Sequence, residues 1–296
     1  MAAAAGAGLV LAPRLAHAAS GPIEVTRLTD TVAVFGGAGG NVLAVTGPDS
    51  VVLVNGGSPE RSAALLEAVA AHAPGRRVTT IINTDWHPEQ TGSNEALGKA
   101  GAAIVAHEHT RQYLAREMFV EWRHARYRAR PGALPTRTTR TDGVVMAGAE
   151  RIEYRPLGQA HTDGDLGVFL PQSNVLVTGD LMTVGAYPIG DYTSGGWLGG
   201  MVTAAKAMLD LTNDATRIVP GVGPVQARAD LQATHEMLSA MRERIAKMMR
   251  QGMGASEMLA AGVSKDFDAR WGAPDVFMAT AYRGMWLHVR EIGGVV

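Results

Sequence analysis

The sequence predicts an α/β (α+β) fold in which two β-sheets pack face to face and helices cover both outer faces, a four-layer αββα sandwich. Two observations predict this fold. Short β-rich segments cluster in two separate parts of the chain, and helical patterns are interleaved with them. The chain has 296 residues, of which 46% are hydrophobic and 19% charged, so it can bury a large core.

The first half of the sequence opens with four β-rich segments separated by Gly, Pro, Asn and Asp, which predicts an antiparallel meander. The segments are residues 23–27, 32–36, 41–46 and 50–54. A helical pattern over residues 61–71 and a strand over 78–82 then predict a β-α-β unit. A second such unit is expected over residues 92–106, followed by a longer helix over residues 109–127.

The second half repeats this order loosely, beginning near residue 143. It predicts strands over 151–157, 167–170, 175–178 and 217–220 and helices over 197–211, 226–250 and 274–290. No long linker or internal repeat divides the chain, so residues 20–296 are expected to form one domain. Within it, residues from about 226 to 296 would be a C-terminal helical extension.

The N-terminal residues 1–19 are expected to be an export signal. A weakly hydrophobic Ala/Gly/Leu/Val run precedes Ala16, His17 and Ala18, a small-x-small pattern that suits a signal peptidase. This pattern predicts a periplasmic or secreted protein. No later stretch approaches the roughly 20 apolar residues of a membrane span, so no membrane association is expected.

Charge and cysteine content exclude several classes of function. Lys plus Arg number 27 and Asp plus Glu number 28, and a net charge of −1 gives no global attraction to nucleic acid or to acidic membranes. The chain has no cysteine, which excludes disulfides, thiolate nucleophiles and Cys-ligated zinc. The expected partner is therefore a small-molecule substrate, and the oligomeric state stays open.

Chemically capable side chains concentrate in loops that follow predicted strands. The stretch IINTDWHPEQTGSN, residues 81–94, places Asp85, His87, Glu89 and Gln90 within six positions after a strand end. Imidazole and carboxylate groups are common metal ligands, and loops at strand ends bring distant side chains together. Further strand-end loops occur at residues 55–57, 158–165, 178–180 and 220–224.

In order and spacing these loops resemble the metallo-β-lactamase superfamily, over nearly all of residues 23–225. The motifs that carry the resemblance are Asn83-Thr84, Thr91-Gly92, His161-Thr162-Asp163-Gly164 and Gly179-Asp180. This resemblance implies the αββα sandwich independently of the periodicity. It also implies a metal site at the ends of the strands.

The resemblance implies metal ligands position by position, and several positions depart from the family pattern. The family loop His-x-His-x-Asp-His corresponds here to Asp85, His87, Glu89 and Gln90. The next family ligands correspond to His161 and Asp180, which are retained. The last family histidine falls on Val222, and an early aspartate falls on Asn55.

These departures predict one metal position in place of two. Asp85, His87, His161 and Asp180 would bind one divalent ion, with Glu89 and Gln90 as further candidates. Zinc is the expected ion, and iron or manganese are alternatives because residue types alone do not select the metal. The second position would be empty or weak, because Val222 has no ligand atom.

The function predicted from this site is hydrolysis of an ester, lactone or amide bond by metal-bound water, with Glu89 or Asp180 as general base. Two other functions stay open: a catalytically silent binding protein on the same scaffold, and an Fe(II)-dependent oxidoreductase. If the metal has been lost, His87 and His161 would form a polar pair and Asp85 would cap a turn. The Arg-rich segment, residues 111–140, is interpreted as a solvated face, with contact to an anionic substrate as the alternative.

Overall fold

The computed structural model describes residues 21–292. The expected export signal, residues 1–19, lies outside the described residues. Within residues 21–292, no helix combines the length and the apolar character that are needed to cross a bilayer.

The strands of the described residues form two large sheets and one small hairpin. In chain order the strands are β1 (Glu24–Arg27), β2 (Val32–Gly36), β3 (Val42–Thr46), β4 (Ser50–Val54), β5 (Arg77–Ile82), β6 (Ala103–His107), β7 (Met118–Val120), β8 (Ala125–Tyr127), β9 (Arg137–Thr139), β10 (Gly143–Ala147), β11 (Glu150–Pro156), β12 (Leu166–Leu170), β13 (Val175–Thr183), β14 (Arg217–Val222) and β15 (Gln226–Ala227). The helices are α1 (Ser62–His72), α2 (Pro88–Thr91), α3 (Asn94–Lys99), α4 (Glu108–Leu114), α5 (Leu198–Leu209), α6 (Arg228–Arg250), α7 (Ala255–Ala260), α8 (Asp268–Trp271) and α9 (Asp275–Leu287).

Strand pairing follows the two β-rich halves of the sequence. In the first sheet β1 to β4 form the predicted antiparallel meander, and β5, β6 and β9 add to it in parallel. In the second sheet β10 to β13 are antiparallel and β13 pairs with β14 in parallel. Parallel neighbours end at the same edge of a sheet, so the loops after β4, β5 and β6 share one edge of the first sheet, and those after β13 and β14 share one edge of the second.

Side-chain alternation along the strands places the sheets face to face. On β2, Val34 points into a core shared with Val168 of the second sheet, whereas Phe35 points into a core shared with Leu65 and Val69 of α1. The outer face of the second sheet is covered by α5, α6 and α9, which contribute most of the largest buried cluster. Helix, sheet, sheet and helix therefore stack as the predicted αββα sandwich.

The predicted helix over residues 109–127 is wrong beyond Leu114. Helix α4 ends there, and the chain then forms the β7–β8 hairpin. Met118 and Val120 are buried while Phe119 between them is exposed, so this stretch has the period-two burial of a strand. The inward side chains pack against Trp86, and this tertiary contact overrides the local helical pattern.

The hairpin reverses direction in a short 3-10 turn that carries Arg123. The turn spans Glu121–Arg123 and ends at His124, whose φ of 48° is in the left-handed region. A left-handed backbone is uncommon for a residue other than glycine, and it turns the chain sharply. Arg123 is thereby held beside the strand edge where the predicted site lies.

Candidate metal centre

The loop after β5 is fixed by hydrogen bonds from its own polar side chains. Asp85 Oδ1 accepts a hydrogen bond from the backbone N–H of His87 at 2.8 Å. Asp85 therefore caps a turn, which is the role that the sequence predicts for it in the absence of a metal. The preceding residue, Thr84, donates its N–H and its hydroxyl to Asn55 Oδ1 at 2.9 and 3.0 Å. Asp85 and His87 are both fully buried, so their ring and carboxylate atoms are aimed inward by a closed loop.

A second loop, between β11 and β12, presents His161. Asp165 accepts the backbone N–H groups of His161 and Thr162 at 2.6 and 3.0 Å. Burial raises the pKa of Asp165 to about 7, although His161 nearby opposes this shift. The loop is closed from the other side by a bond from Asp191 N–H to the carbonyl of His161 at 2.7 Å.

Asp85, His87, His161 and Asp180 converge as the sequence predicted. One ligand atom from each lies within 4.8 Å of those of the others. His161 Nε2 is 3.0 Å from His87 Nδ1 and 3.5 Å from Asp180 Oδ2, and His87 Nδ1 is 3.2 Å from Asp85 Oδ1. His87 and His161 are 74 positions apart in the sequence and Asp180 lies further along the chain, yet all four groups meet in one place.

The outer nitrogen of each imidazole is already committed, which leaves the inner nitrogens for a cation. The carbonyl of Ile189 accepts from His161 Nδ1 at 2.6 Å, and the carboxylate of Asp191 lies 3.2 Å from His87 Nε2. A carbonyl can only accept, so the neutral His161 ring carries its proton on Nδ1 and its lone pair on Nε2. Two imidazole lone pairs and two carboxylates facing one point form a donor set that suits a divalent cation.

The pKa directions agree with an excess of negative charge at this point. Burial alone would lower the pKa of His87, but the carboxylates of Asp191 and Asp85 outweigh it and raise the pKa to about 10. Burial raises the pKa of Asp180 to about 6, with Asp85 acting in the same direction. One positive charge is therefore favoured among these groups, and a proton on His87 or a bound cation can supply it.

The two further candidates, Glu89 and Gln90, have other partners. Gln90 Nε2 donates to Asp180 Oδ1 at 2.7 Å, so this amide contacts the cluster through Asp180. Glu89 Oε1 accepts from Arg123 Nη1 at 2.7 Å. The remaining oxygens, Gln90 Oε1 and Glu89 Oε2, are buried without a hydrogen-bond partner among the described residues.

A cavity of about 320 Å³ opens onto the cluster. His161 and Asp180 form its polar floor, and Glu89 and Arg123 add further charges to the wall. Most of the remaining lining is apolar, with Trp122, Val184, Ala186, Ile189 and Val222. The volume is at the lower end of the range for small-molecule sites, which is about 300–1,000 Å³.

Asp191 and Arg123 are functional candidates that the sequence did not single out. Asp191 lies in the Gly-rich segment after β13, where it accepts from Thr193 N–H at 3.1 Å. Its contact with His87 spans 104 positions, which no local pattern reveals. Arg123 belonged to a segment interpreted as a solvated face, and the misassigned helix hid its position at the cavity.

Comparisons with known proteins agree with this architecture. A family model described as the metallo-beta-lactamase superfamily matches residues 35–241. A metallo-beta-lactamase from Pontibacter korlensis is 23% identical with a TM-score of 0.59, and the alignment covers 73% of this chain and 99% of that one. The DIM-1 metallo-beta-lactamase is 18% identical with a TM-score of 0.59, covering 74% and 98% of the two chains.

A further solved structure extends the likeness to more of this chain. The stereoselective inverting sec-alkylsulfatase Pisa1 from Pseudomonas sp. is 17% identical with a TM-score of 0.67. The alignment covers 88% of this chain and 50% of that one. At such identities the likeness to solved structures concerns the fold.

Proposed function

This chain belongs to the metallo-beta-lactamase superfamily, and from that membership we propose that it is a metal-dependent hydrolase that cleaves an ester, lactone or amide bond at a mononuclear site. The observation that carries the proposal is the convergence of Asp85, His87, His161 and Asp180 beside a cavity of small-molecule size. The printed names of the solved relatives, two metallo-beta-lactamases and an alkylsulfatase, are compatible with hydrolysis.

The four converging residues are the ones that would hold the ion. Two imidazoles and a carboxylate are sufficient for zinc, and the same set also suits iron or manganese. When bound, the ion would supply Lewis acidity, which polarises a scissile carbonyl and favours loss of a proton from water. The structural reason to expect the ion is that one ligand atom from each of the four residues lies within 4.8 Å of those of the others.

The chain's own residues would orient the imidazole rings, accept a proton and line the cavity. Asp191 and the carbonyl of Ile189 hold the two imidazole rings in one orientation. Asp180 lines the cavity and is the better placed general base, because Arg123 already engages Glu89. The apolar walls exclude water from the cavity and strengthen the electrostatic interactions inside it.

A single ion is proposed because the second family position lacks ligands. Val222 presents only an aliphatic side chain to the cavity. Gln90 stands where the family has a histidine, and its amide nitrogen donates to Asp180 and has no lone pair for a metal. Arg123 already supplies a positive charge beside Glu89. A second cation would have to displace or repel this guanidinium.

Metal content of protein purified without an affinity tag tests the first part of the proposal. We expect about one zinc ion per chain. The double variant Asp85→Ala with His161→Ala should contain none, while His72→Ala, a histidine on α1 at the outer face of the first sheet, should keep it. An ion retained by the double variant, or absent from the wild-type protein after growth with added zinc, iron or manganese, would contradict the proposal.

Hydrolysis tests the second part. Purified protein is assayed against lactones, carboxylic esters and β-lactams, with and without a chelator. At least one class should be hydrolysed in a chelator-sensitive way, and the double variant should lose this activity. Activity that survives in the double variant would refute the mechanism.

A catalytically silent binding protein is the second candidate. Its support is the change of residue type at Asn55, Gln90 and Val222, since Gln90 donates to Asp180 and Val222 presents an aliphatic side chain to the cavity. Stoichiometric metal with no turnover on any substrate class would favour it. Oxygen consumption with iron and none with zinc would instead favour the Fe(II)-dependent oxidoreductase.

A further inference from the structure

Arg123 differs from its neighbours in the Arg-rich segment by facing a cavity. Its side chain is 20% exposed, whereas those of Arg126 and Arg140 are 68% and 60% exposed. It lines the same cavity as His161 and Asp180. The position of this guanidinium is therefore relevant to whatever occupies the cavity.

The surrounding contacts hold the guanidinium in place. Its Nη1 donates to Glu89 Oε1 at 2.7 Å and to the hydroxyl of Tyr127 at 3.3 Å, and its Cζ lies 4.7 Å from the ring centre of Trp122. The turn that carries it is tethered to α9, because Arg283 Nη2 donates to Glu121 Oε1 at 3.2 Å. Fixing the group in advance lowers the entropy that a ligand must overcome.

Two of the three guanidinium nitrogens of Arg123 have no hydrogen-bond partner among the described residues. Both bonds of Arg123 use Nη1, and its Nε and Nη2 have no hydrogen bond to any described residue. These two nitrogens form the edge that binds a carboxylate or a similar oxyanion through two parallel bonds. The edge is therefore available to a ligand in the cavity.

Neutralising Glu89 does not account for this arrangement. A pair built for that purpose would favour the bidentate geometry, yet Arg123 gives Glu89 one bond and leaves Glu89 Oε2 without a partner. The other residues that line the cavity beside Arg123 are largely apolar, as Trp122, Val184 and Ile189 are. A cationic edge above apolar walls suits a ligand with one anionic group and a hydrophobic part.

We propose that Arg123 binds an anionic group of the substrate through Nε and Nη2, so that the site prefers anionic esters, lactones or amides over neutral ones. This rests on the proposed function, because it names the substrate class of the same site. The shared chemistry is an oxyanion, either a carboxylate or a sulfonate. Arg123 is thus a specificity-determining residue.

Binding of three small probes tests the proposal without any turnover. Benzoate and benzenesulfonate are compared with neutral benzamide by calorimetry, on metal-free and on zinc-loaded protein. The wild-type protein should bind at least one anion about tenfold or more tightly than benzamide, as charge-assisted hydrogen bonds would give. Comparison of the two anions shows whether the site prefers a planar carboxylate or a tetrahedral sulfonate.

Variants on the same hairpin identify the responsible group. Arg123→Gln should remove the preference for the anion, and Arg123→Lys should restore only part of it. Arg126→Gln is the matched control, since Arg126 lies on the same hairpin with its side chain in solvent, and it should bind like the wild type. Equal binding of anion and benzamide by the wild type, or a preference that persists in Arg123→Gln, would overturn the proposal.

Glu89→Gln separates this role from simple charge pairing. With Glu89 neutral, Arg123 keeps its free edge and the anion should bind as well as before or better. If Arg123→Gln alone does not fold, because it leaves Glu89 buried and unpaired, the double variant Glu89→Gln with Arg123→Gln decides. Anion binding without hydrolysis of any ester, lactone or amide would refute the proposed function alone, whereas hydrolysis with no anion preference would refute this inference alone.

Discussion

Asp191 lies behind the imidazole of His87, and its backbone N–H donates to the carbonyl of His161 at 2.7 Å. Its Oδ2 is 3.2 Å from His87 Nε2, and its second oxygen accepts from Thr193 N–H at 3.1 Å. Burial would raise the pKa of Asp191, but the bond to His87 and its charge outweigh burial and lower the pKa, so the group is an anion. A buried carboxylate in this place orients the ring and makes its inner nitrogen a better donor.

The first prediction concerns this positioning carboxylate. Asp191→Asn keeps the shape and removes the charge, and we expect zinc affinity to fall by about 10–100-fold, as is typical when such a partner of a metal ligand is lost. Competition with a chromogenic chelator measures it. The control is Asp210→Asn, since Asp210 pairs with Lys206 at the exposed end of α5, away from the four cluster residues, and should leave zinc affinity unchanged. Equal affinities of wild type and Asp191→Asn would show that the contact is only structural.

At this scale, the sequence predicts the ligands but not the residues that support them. Asp85, His87, His161 and Asp180 stand at recognisable spacings in strand-end loops, and the structure brings them together. Asp191 could not be found in this way, because its contact with His87 depends on the path of a Gly-rich loop and not on a strand end. The roles of Glu89 and Gln90 as ligands stay predictions.

At the scale of elements, the start of α5 supports the loop that carries His161. Trp197 N–H donates to the carbonyl of Ala160 at 3.1 Å, and Gly196 N–H donates to the carbonyl of Asp191 at 2.9 Å. The backbone here approaches so closely that a Cβ at Gly196 would lie 2.0 Å from the carbonyl oxygen of His161. This contact requires glycine for steric reasons and holds the loop against the helix.

Gly196→Ala should therefore destabilise the protein and disturb the metal site together. Overpacking against backbone costs about 1–3 kcal/mol or more, because no flexible side chain can move aside. Urea unfolding measures the loss, and zinc affinity should fall with it because the His161 loop shifts. Gly36→Ala is the control: a Cβ there meets nothing nearer than 4.0 Å, so stability should change by no more than about 0.5 kcal/mol.

The strands and helices were easier to predict than the hairpin between them. The continuous apolar runs of β2 to β4 and the 3.6-residue pattern of α6 occur where the sequence places them. The prediction for residues 118–127 is wrong because the two strands there are only three residues long and the chain reverses at His124 and not at a glycine. Packing of Met118 and Val120 on Trp86 decides the structure there, and a single sequence does not display that contact.

For the whole molecule, the site joins the two halves of the sandwich. Asp85 and His87 follow β5 of the first sheet, while Asp180 lies in β13 of the second sheet and His161 precedes β12. Backbone bonds already link the sheets at this edge, from Leu166 N–H to the carbonyl of Thr84 at 2.7 Å. A cation held by all four residues would therefore add a link between sheets that are otherwise joined mainly by apolar packing.

The last prediction follows from this position between the sheets. Any ion that binds only the folded state stabilises it, by about 2.7 kcal/mol when free zinc is 100 times the dissociation constant. Zinc should therefore raise the melting temperature of the metal-free protein, and amide hydrogen exchange should slow in β5 and β13 together, because both sheets are held. The double variant Asp85→Ala with His161→Ala should show neither effect, whereas His72→Ala should show both. Slower exchange in one sheet alone would mean that the ion does not bridge the halves, and stabilisation of the double variant would place the zinc elsewhere on the chain.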